Sequence, residues 1–138
     1  MATSGAGYSG TPLVKKLGLR PGMTVQVIDA PLPYERIVEH LPDDLRFVAR
    51  TTASTQFVHL FCTGAARLER ALSTLRERLP PDAVVWVSWP KKSSGVASDV
   101  DENLLRRVAL PMGWVDVKVC AVDATWSGLK LVLRKSLR

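Results

Sequence analysis

The sequence predicts a three-layer α/β sandwich: a mostly parallel sheet between helices, with an antiparallel hairpin at its C-terminal end. Three observations predict it. Strand-like and helix-like segments alternate along most of the chain. The clearest helical stripe, Leu68, Leu72, Leu75 and Leu79, runs into the apolar segment Ala83–Trp89, as in a parallel unit whose strand is covered on both faces. Finally, Trp114–Val122 and Leu129–Arg134 alternate apolar and polar residues, and only Asp123–Gly128 separates them. That loop is too short for a parallel crossover.

Taken in order, residues 1–10 are rich in Gly, Ser and Ala and read as a flexible tail. Residues 11–138 read as a single domain, as a chain of 138 residues suggests. Thr11 is expected to cap a short helix with Pro12 as its first residue, and Gly18 to stop it. Arg20-Pro-Gly22 marks a turn before the strand Thr24–Asp29. Tyr34, Ile37, Val38 and Leu41 share one helical face, which places a helix there, ended by Pro42. Leu45–Arg50 and Gln56–Cys62 read as strands. Thr63 or Gly64 is expected to cap the leucine-striped helix, which Pro80-Pro81 ends. After Ala83–Trp89 comes Pro90-Lys-Lys-Ser-Ser-Gly95. A helix is then expected from about Ser98, with Ser98 or Asp99 as its cap and Val100, Leu104 and Val108 as its stripe. Pro111-Met-Gly113 closes it.

Composition narrows the function classes. Hydrophobic residues make up 46% and charged residues 23%, which is ordinary for a folded domain. No apolar run reaches the ~20 residues of a membrane span. The N-terminus lacks the basic and apolar regions of a signal peptide, so a cytoplasmic location is expected. The net charge of +6 permits attraction to nucleic acid or anionic metabolites. The chain carries no nucleic-acid recognition motif, so specific binding of DNA or RNA is not expected, and non-specific attraction remains an alternative. Cys62 and Cys120 lie in apolar strand-like runs and read as buried thiols. No His, Cys or carboxylate set has metal-ligand spacing, so no metal is expected. His59 lies between Val58 and Leu60 and reads as a structural histidine. His40 is expected near a helix end, where the dipole favours its cation.

Two resemblances add to this reading. Tyr8-Ser-Gly-Thr-Pro-Leu13, Lys15-Lys-Leu-Gly-Leu19, Val87-Ser-Trp-Pro-Lys-Lys-Ser-Ser-Gly95 and Val115-Asp-Val-Lys-Val-Cys-Ala-Val-Asp-Ala-Thr-Trp-Ser-Gly-Leu-Lys130 together resemble an uncharacterised bacterial family, a domain of unknown function of about this length. That resemblance implies a small stand-alone bacterial α/β protein and assigns no activity. The layout is also similar to class I methyltransferases: Leu19–Asp29 sits where such enzymes have a loop and first strand, and Ser88-Trp-Pro-Lys91 where they often carry a catalytic loop. It implies a Rossmann-like sheet. After Ile28, however, comes Asp29-Ala-Pro-Leu-Pro33, with no glycine for close backbone approach to a cofactor. No cofactor is therefore expected.

The candidate site lies at the carboxyl edge of the sheet, where open α/β folds hold ligands. Lys91 and Lys92 supply charge, Ser93 and Ser94 supply hydroxyls, and Gly95 lets the backbone bend. Asp29 and Asp123 end two strands and can face the same edge, although turn chemistry accounts for both equally well. Trp126, in the short hairpin loop, is either a lid packed back on the sheet or an exposed contact. The plainer alternative for Lys91 and Lys92 is a solvated loop in which they pair with Asp99, Asp101 and Glu102. The leading reading is non-catalytic binding of a protein partner or a small anionic ligand, by a monomer or homodimer. The alternative is a degenerate methyltransferase-like transferase.

Overall fold

The computed structural model describes residues 10–138, so the expected N-terminal tail lies almost wholly outside the described residues. Six strands form one sheet in the order β2-β1-β3-β4-β6-β5. They are β1 (Thr24–Ile28), β2 (Arg46–Phe47), β3 (Phe57–Phe61), β4 (Val84–Pro90), β5 (Trp114–Ala121) and β6 (Trp126–Leu133). The first four are mutually parallel, and β6 runs antiparallel to both of its neighbours, β4 and β5. The expected mostly parallel sheet with a C-terminal hairpin is present, and the hairpin is not simply appended. Its second strand inserts between β4 and its first strand.

The alternation of side chains along β3 and β4 builds two cores, one on each face of the sheet. Val58, Leu60, Val85, Val87 and Trp89 face helices α3 (Ala65–Arg78) and α4 (Glu102–Ala109). Phe57, Phe61 and Trp86 face α1 (Leu13–Leu17) and the single turn α2 (Tyr34–Ile37). Trp86 and Trp89 thus point to opposite faces, as their odd spacing predicts. Trp86 is fully buried, and its indole N–H donates to the Leu17 carbonyl at 2.9 Å, tying α1 to the centre of the sheet. Gly128 of β6, paired with Ser88, lies diagonally against the indole ring. A Cβ there would sit 3.2 Å from the Trp86 ring and 3.1 Å from a Val122 methyl, so glycine leaves the room that the tryptophan fills.

Several boundaries differ from the sequence reading. Pro12, not Thr11, occupies the cap of α1, and its carbonyl accepts from the Lys15 and Lys16 amides. The helix expected through Leu41 ends after Ile37. Val38 turns extended, and His40 adopts a left-handed φ of 61° outside any helix, so the dipole argument for it lapses. The second strand shrinks to Arg46–Phe47. The helix expected from Ser98 starts at Glu102. Its cap is Asp101, whose carboxylate accepts from the Leu104 amide at 2.8 Å. Behind that cap, Arg106 bonds Asp116 of β5 at 2.9 Å and pairs with Glu102, which fixes α4 against the hairpin and holds the Asp116 carboxyl below its ordinary range.

Candidate functional site: the carboxyl edge at the β1–β3 switch point

The parallel strands β1, β3 and β4 end at one edge, and Pro90 pairs with Trp126, so β6 begins there. The chain leaves β1 through α2 on one face and leaves β3 through α3 on the other. Neighbouring connections that depart to opposite faces open a crevice between their strands, the position where α/β sheets hold ligands. Here it is a cavity of about 290 Å³ lined by Asp29, Phe61, Cys62, Thr63, Gly64, Arg67 and Trp126.

Each wall has a local cause. Asp29 follows β1 with φ of 58°, a left-handed conformation that a short polar side chain tolerates. Its carboxylate accepts from Arg67 in the first turn of α3 at 3.2 Å. Both side chains are about half exposed, 47% for Arg67 and 56% for Asp29, so water competes for the pair. Trp126 stands edge-on against Phe61, with ring centroids 5.3 Å apart. It is the first residue of β6 rather than part of the loop, which settles it as a wall packed back on the sheet. The Cys62 thiol donates to the Gly64 carbonyl at 3.2 Å, and burial pushes its pKa up, so it is not primed as a nucleophile.

Gly64 caps α3 without a side chain, and the chain supplies one from elsewhere. Both Asp99 carboxylate oxygens lie 3.2 Å from the Ala65 amide, and the Asp99 amide and Ser98 hydroxyl donate back to the Thr63 carbonyl. The residues expected to open α4 therefore sit at the start of α3.

The other predicted site residues divide. Lys92 and Ser93 are exposed on a short 3-10 turn, Lys92–Ser94, beyond β4. Lys91 turns back, and its ammonium donates to the Asp123 carbonyl at 2.9 Å. The Ser94 hydroxyl donates to the Lys91 carbonyl at 2.6 Å. The Asp123 carboxylate accepts from the Thr125 and Trp126 amides at 2.8 and 2.7 Å, the turn chemistry that the sequence offered as its alternative explanation. None of Asp99, Asp101 and Glu102 holds a lysine: they cap α3, cap α4 and pair with Arg106. The crevice thus brings Asp29 and Trp126 together. It adds Phe61, Thr63, Gly64 and Arg67, which the sequence reading did not single out. The available signal was an arginine in the first turn of the helix that follows a central strand.

A second polar constellation lies inside the sheet. His59 is fully buried, with Nδ1 2.7 Å from the Tyr34 hydroxyl and Nε2 2.7 Å from the Ser88 hydroxyl. A neutral imidazole donates through one nitrogen and accepts through the other, so this chain of three groups is satisfied internally. Ser88 is also fully buried, so this serine–histidine pair meets no solute. It is structural, as the sequence suggests for His59. Among the described residues no group of three or more His, Cys, Asp or Glu is placed to hold a metal ion, both cysteines are free, and no helix is long and apolar enough to cross a membrane.

No family model matches the sequence, and no curated protein matches it. Solved structures do resemble the fold. A SAM-dependent methyltransferase from Aquifex aeolicus superposes with a TM-score of 0.59 at 16% identity, covering 86% of this chain and 86% of that one. The tRNA methyltransferase TrmK of B. subtilis gives 0.59 at 8% identity, over 87% of this chain and 64% of that one. DhpI in complex with SAH gives 0.56 at 12% identity, over 89% and 81%. At these identities the likeness is one of fold: the chain has a Rossmann-like α/β architecture neighbouring the class I methyltransferases, as the second resemblance implies.

Proposed function

We propose that the chain is a methyltransferase-fold domain that binds a small anionic ligand at the carboxyl edge of its sheet, in the crevice between β1 and β3, without transferring a methyl group. The observation that carries this reading is the half-exposed Arg67–Asp29 pair at the mouth of that crevice. An exposed ion pair is worth at most about 1 kcal/mol. A ligand carboxylate or phosphate can therefore take the place of Asp29 on the guanidinium at little cost. Phe61 and Trp126 offer an apolar wall, and Lys92 and Ser93 stand exposed on the turn beyond β4 at the same edge of the sheet. Lys91, Ser94 and Asp123 hold the rim loop in shape through the bonds described above.

Methyl transfer is the second reading, favoured by neighbours described as SAM-dependent methyltransferases and as an SAH complex. The residues after β1 do not fit that cofactor in the glycine-loop manner. Asp29-Ala-Pro-Leu-Pro33 has no glycine for close approach, and Pro31 and Pro33 have no N–H to donate. The crevice, at about 290 Å³, lies at the small end of the range for ligand pockets, ~300–1,000 Å³.

A thermal-shift screen with nucleotides, acyl phosphates, carboxylates and S-adenosylmethionine tests both readings. An anion at a hundred times its dissociation constant adds about 2.7 kcal/mol, a rise on the order of 10 °C for a domain of this size. The rise is expected with an anion and should be lost in Arg67→Ala and weakened in Lys92→Ala. A shift that survives both substitutions puts the site elsewhere. Silence across the panel overturns the reading in favour of a protein partner. A shift confined to S-adenosylmethionine reinstates the transferase.

A further inference from the structure

Beside the crevice, a larger cleft of about 660 Å³ runs down the face of β1. Its floor is β1 from Gln26 to Asp29. One wall is the segment that crosses back from β2 to β3, pinned where the Thr51 hydroxyl donates to the Gln26 side chain at 2.6 Å and that side chain donates to the Ala49 carbonyl. The other wall is the flank of α3. Among the described residues no helix lies squarely over β1 on this side: α2 packs on the opposite face, and α3 packs its leucine stripe mainly against β3 and β4.

We propose that this cleft is a binding site for a linear oligophosphate. Four arginines line it: Arg50 from the crossing segment and Arg67, Arg70 and Arg78 from α3. Only Arg67 is ion-paired. Arg50, Arg70 and Arg78 have no carboxylate partner among the described residues, and Asp29 is the only acidic residue in the lining. Beside the Arg67–Asp29 pair, three unpartnered guanidiniums around one cleft repel one another unless an anion is brought in. The lining contains arginine and no lysine. A guanidinium presents a planar fork that grips phosphate oxygens with two parallel N–H bonds.

Spacing and composition narrow the ligand. At about 1.5 Å per residue, Arg67 and Arg78 stand roughly 16 Å apart along α3, with Arg70 between them. A lone phosphate spans only part of that row, whereas a chain of phosphates meets all of it. Ala71 and Thr74 keep the middle of the flank low. No aromatic side chain lines the cleft, so bases find no stacking platform and the phosphates carry recognition. The chemistry is shared by inorganic polyphosphate and by the tail of a nucleoside polyphosphate. The site goes beyond the crevice: Arg50, Arg70 and Arg78 do not line the crevice, and Trp126 does not line the cleft.

Titration calorimetry of the full chain with phosphate, pyrophosphate, tripolyphosphate, long-chain polyphosphate and ATP tests the proposal. Affinity is expected to climb with chain length and to fall steeply with salt. It should drop at least tenfold in the double variant Arg70→Ala/Arg78→Ala, whose exposed positions leave folding intact, while Lys92→Ala changes it little. ATP binding no tighter than tripolyphosphate agrees with recognition by phosphates alone. Binding to long-chain polyphosphate and not to ATP assigns the inorganic source. Equal affinity for phosphate and long-chain polyphosphate, binding unchanged in the double variant, or ATP tenfold tighter than tripolyphosphate would each overturn it. Because the double variant spares the crevice, loss of polyphosphate with retained crevice ligands separates the two sites.

Discussion

Lowering the pH from 6.5 toward 3 is expected to cost this protein about 1.4 kcal/mol of stability per pH unit through one side chain, His59. The ring is enclosed by Tyr34, Phe61 and Ser88, and burial depresses its pKa from 6.5 to about 3. The unfolded chain takes up a proton below pH 6.5 that the folded chain refuses. Stability is therefore complete above pH 6.5 and is lost as pH falls through the window down to about 3, a total on the order of 4–5 kcal/mol. Urea unfolding between pH 7 and about 4.5, above the ordinary carboxylate range, isolates the effect. His59→Gln should be less stable at neutral pH by about 1–3 kcal/mol, because the two hydroxyls are less well matched, and its stability should be nearly flat with pH in this window. Equal slopes for the wild type and the variant would show that the ring is not held neutral.

Trp86→Ala is expected to cost about 3–5 kcal/mol, a large part of the roughly 5–15 kcal/mol that holds a domain folded. Two losses combine. The cavity opens between α1 and the central strands, with Gly128 unable to fill it, and the Leu17 carbonyl at the end of α1 loses its donor. Trp86→Phe separates them by restoring most of the volume without the N–H. Its cost should be about 1–3 kcal/mol, felt as faster hydrogen exchange in α1 than in β3 and β4. Uniform exchange across all three would mean that the indole bond does not anchor the helix.

Much of the fold was legible because β3, α3 and β4 have strong periods and clear stops. The edge of the sheet was legible as the place for a site, because strand ends are marked by Asp29, Pro90 and Asp123. What failed was capping and coverage. Asp99 has the chemistry of a helix cap, and it caps one, α3, some thirty residues earlier in sequence, with Ser98 bonded to the Thr63 carbonyl beside it, which no local pattern announces. Tyr34 to Leu41 has a helical period, but the chain turns extended at Val38. Arg67, Arg70 and Arg78 of α3 fall off its leucine stripe, on the flank beside β1. They border a cleft because, among the described residues, no helix lies over β1 on that side, a consequence of strand order that sequence periodicity does not encode. Lys91 and Lys92 look equivalent in sequence. One ammonium is spent on a backbone carbonyl and the other faces water.

The insertion of β6 between β4 and β5 also dictates an order of events during synthesis. β5 emerges from the ribosome before the strand that joins it to the sheet, since β6, its one sheet neighbour among the described residues, is still to be made. Until residues 126–133 follow, the exposed flank of β4 is an open template, with unpaired backbone groups beside Trp86 and Trp89. The four parallel strands can assemble as the chain grows, but the sheet cannot be completed until β6 has been made. In that interval the nascent chain is most in need of shielding from its neighbours.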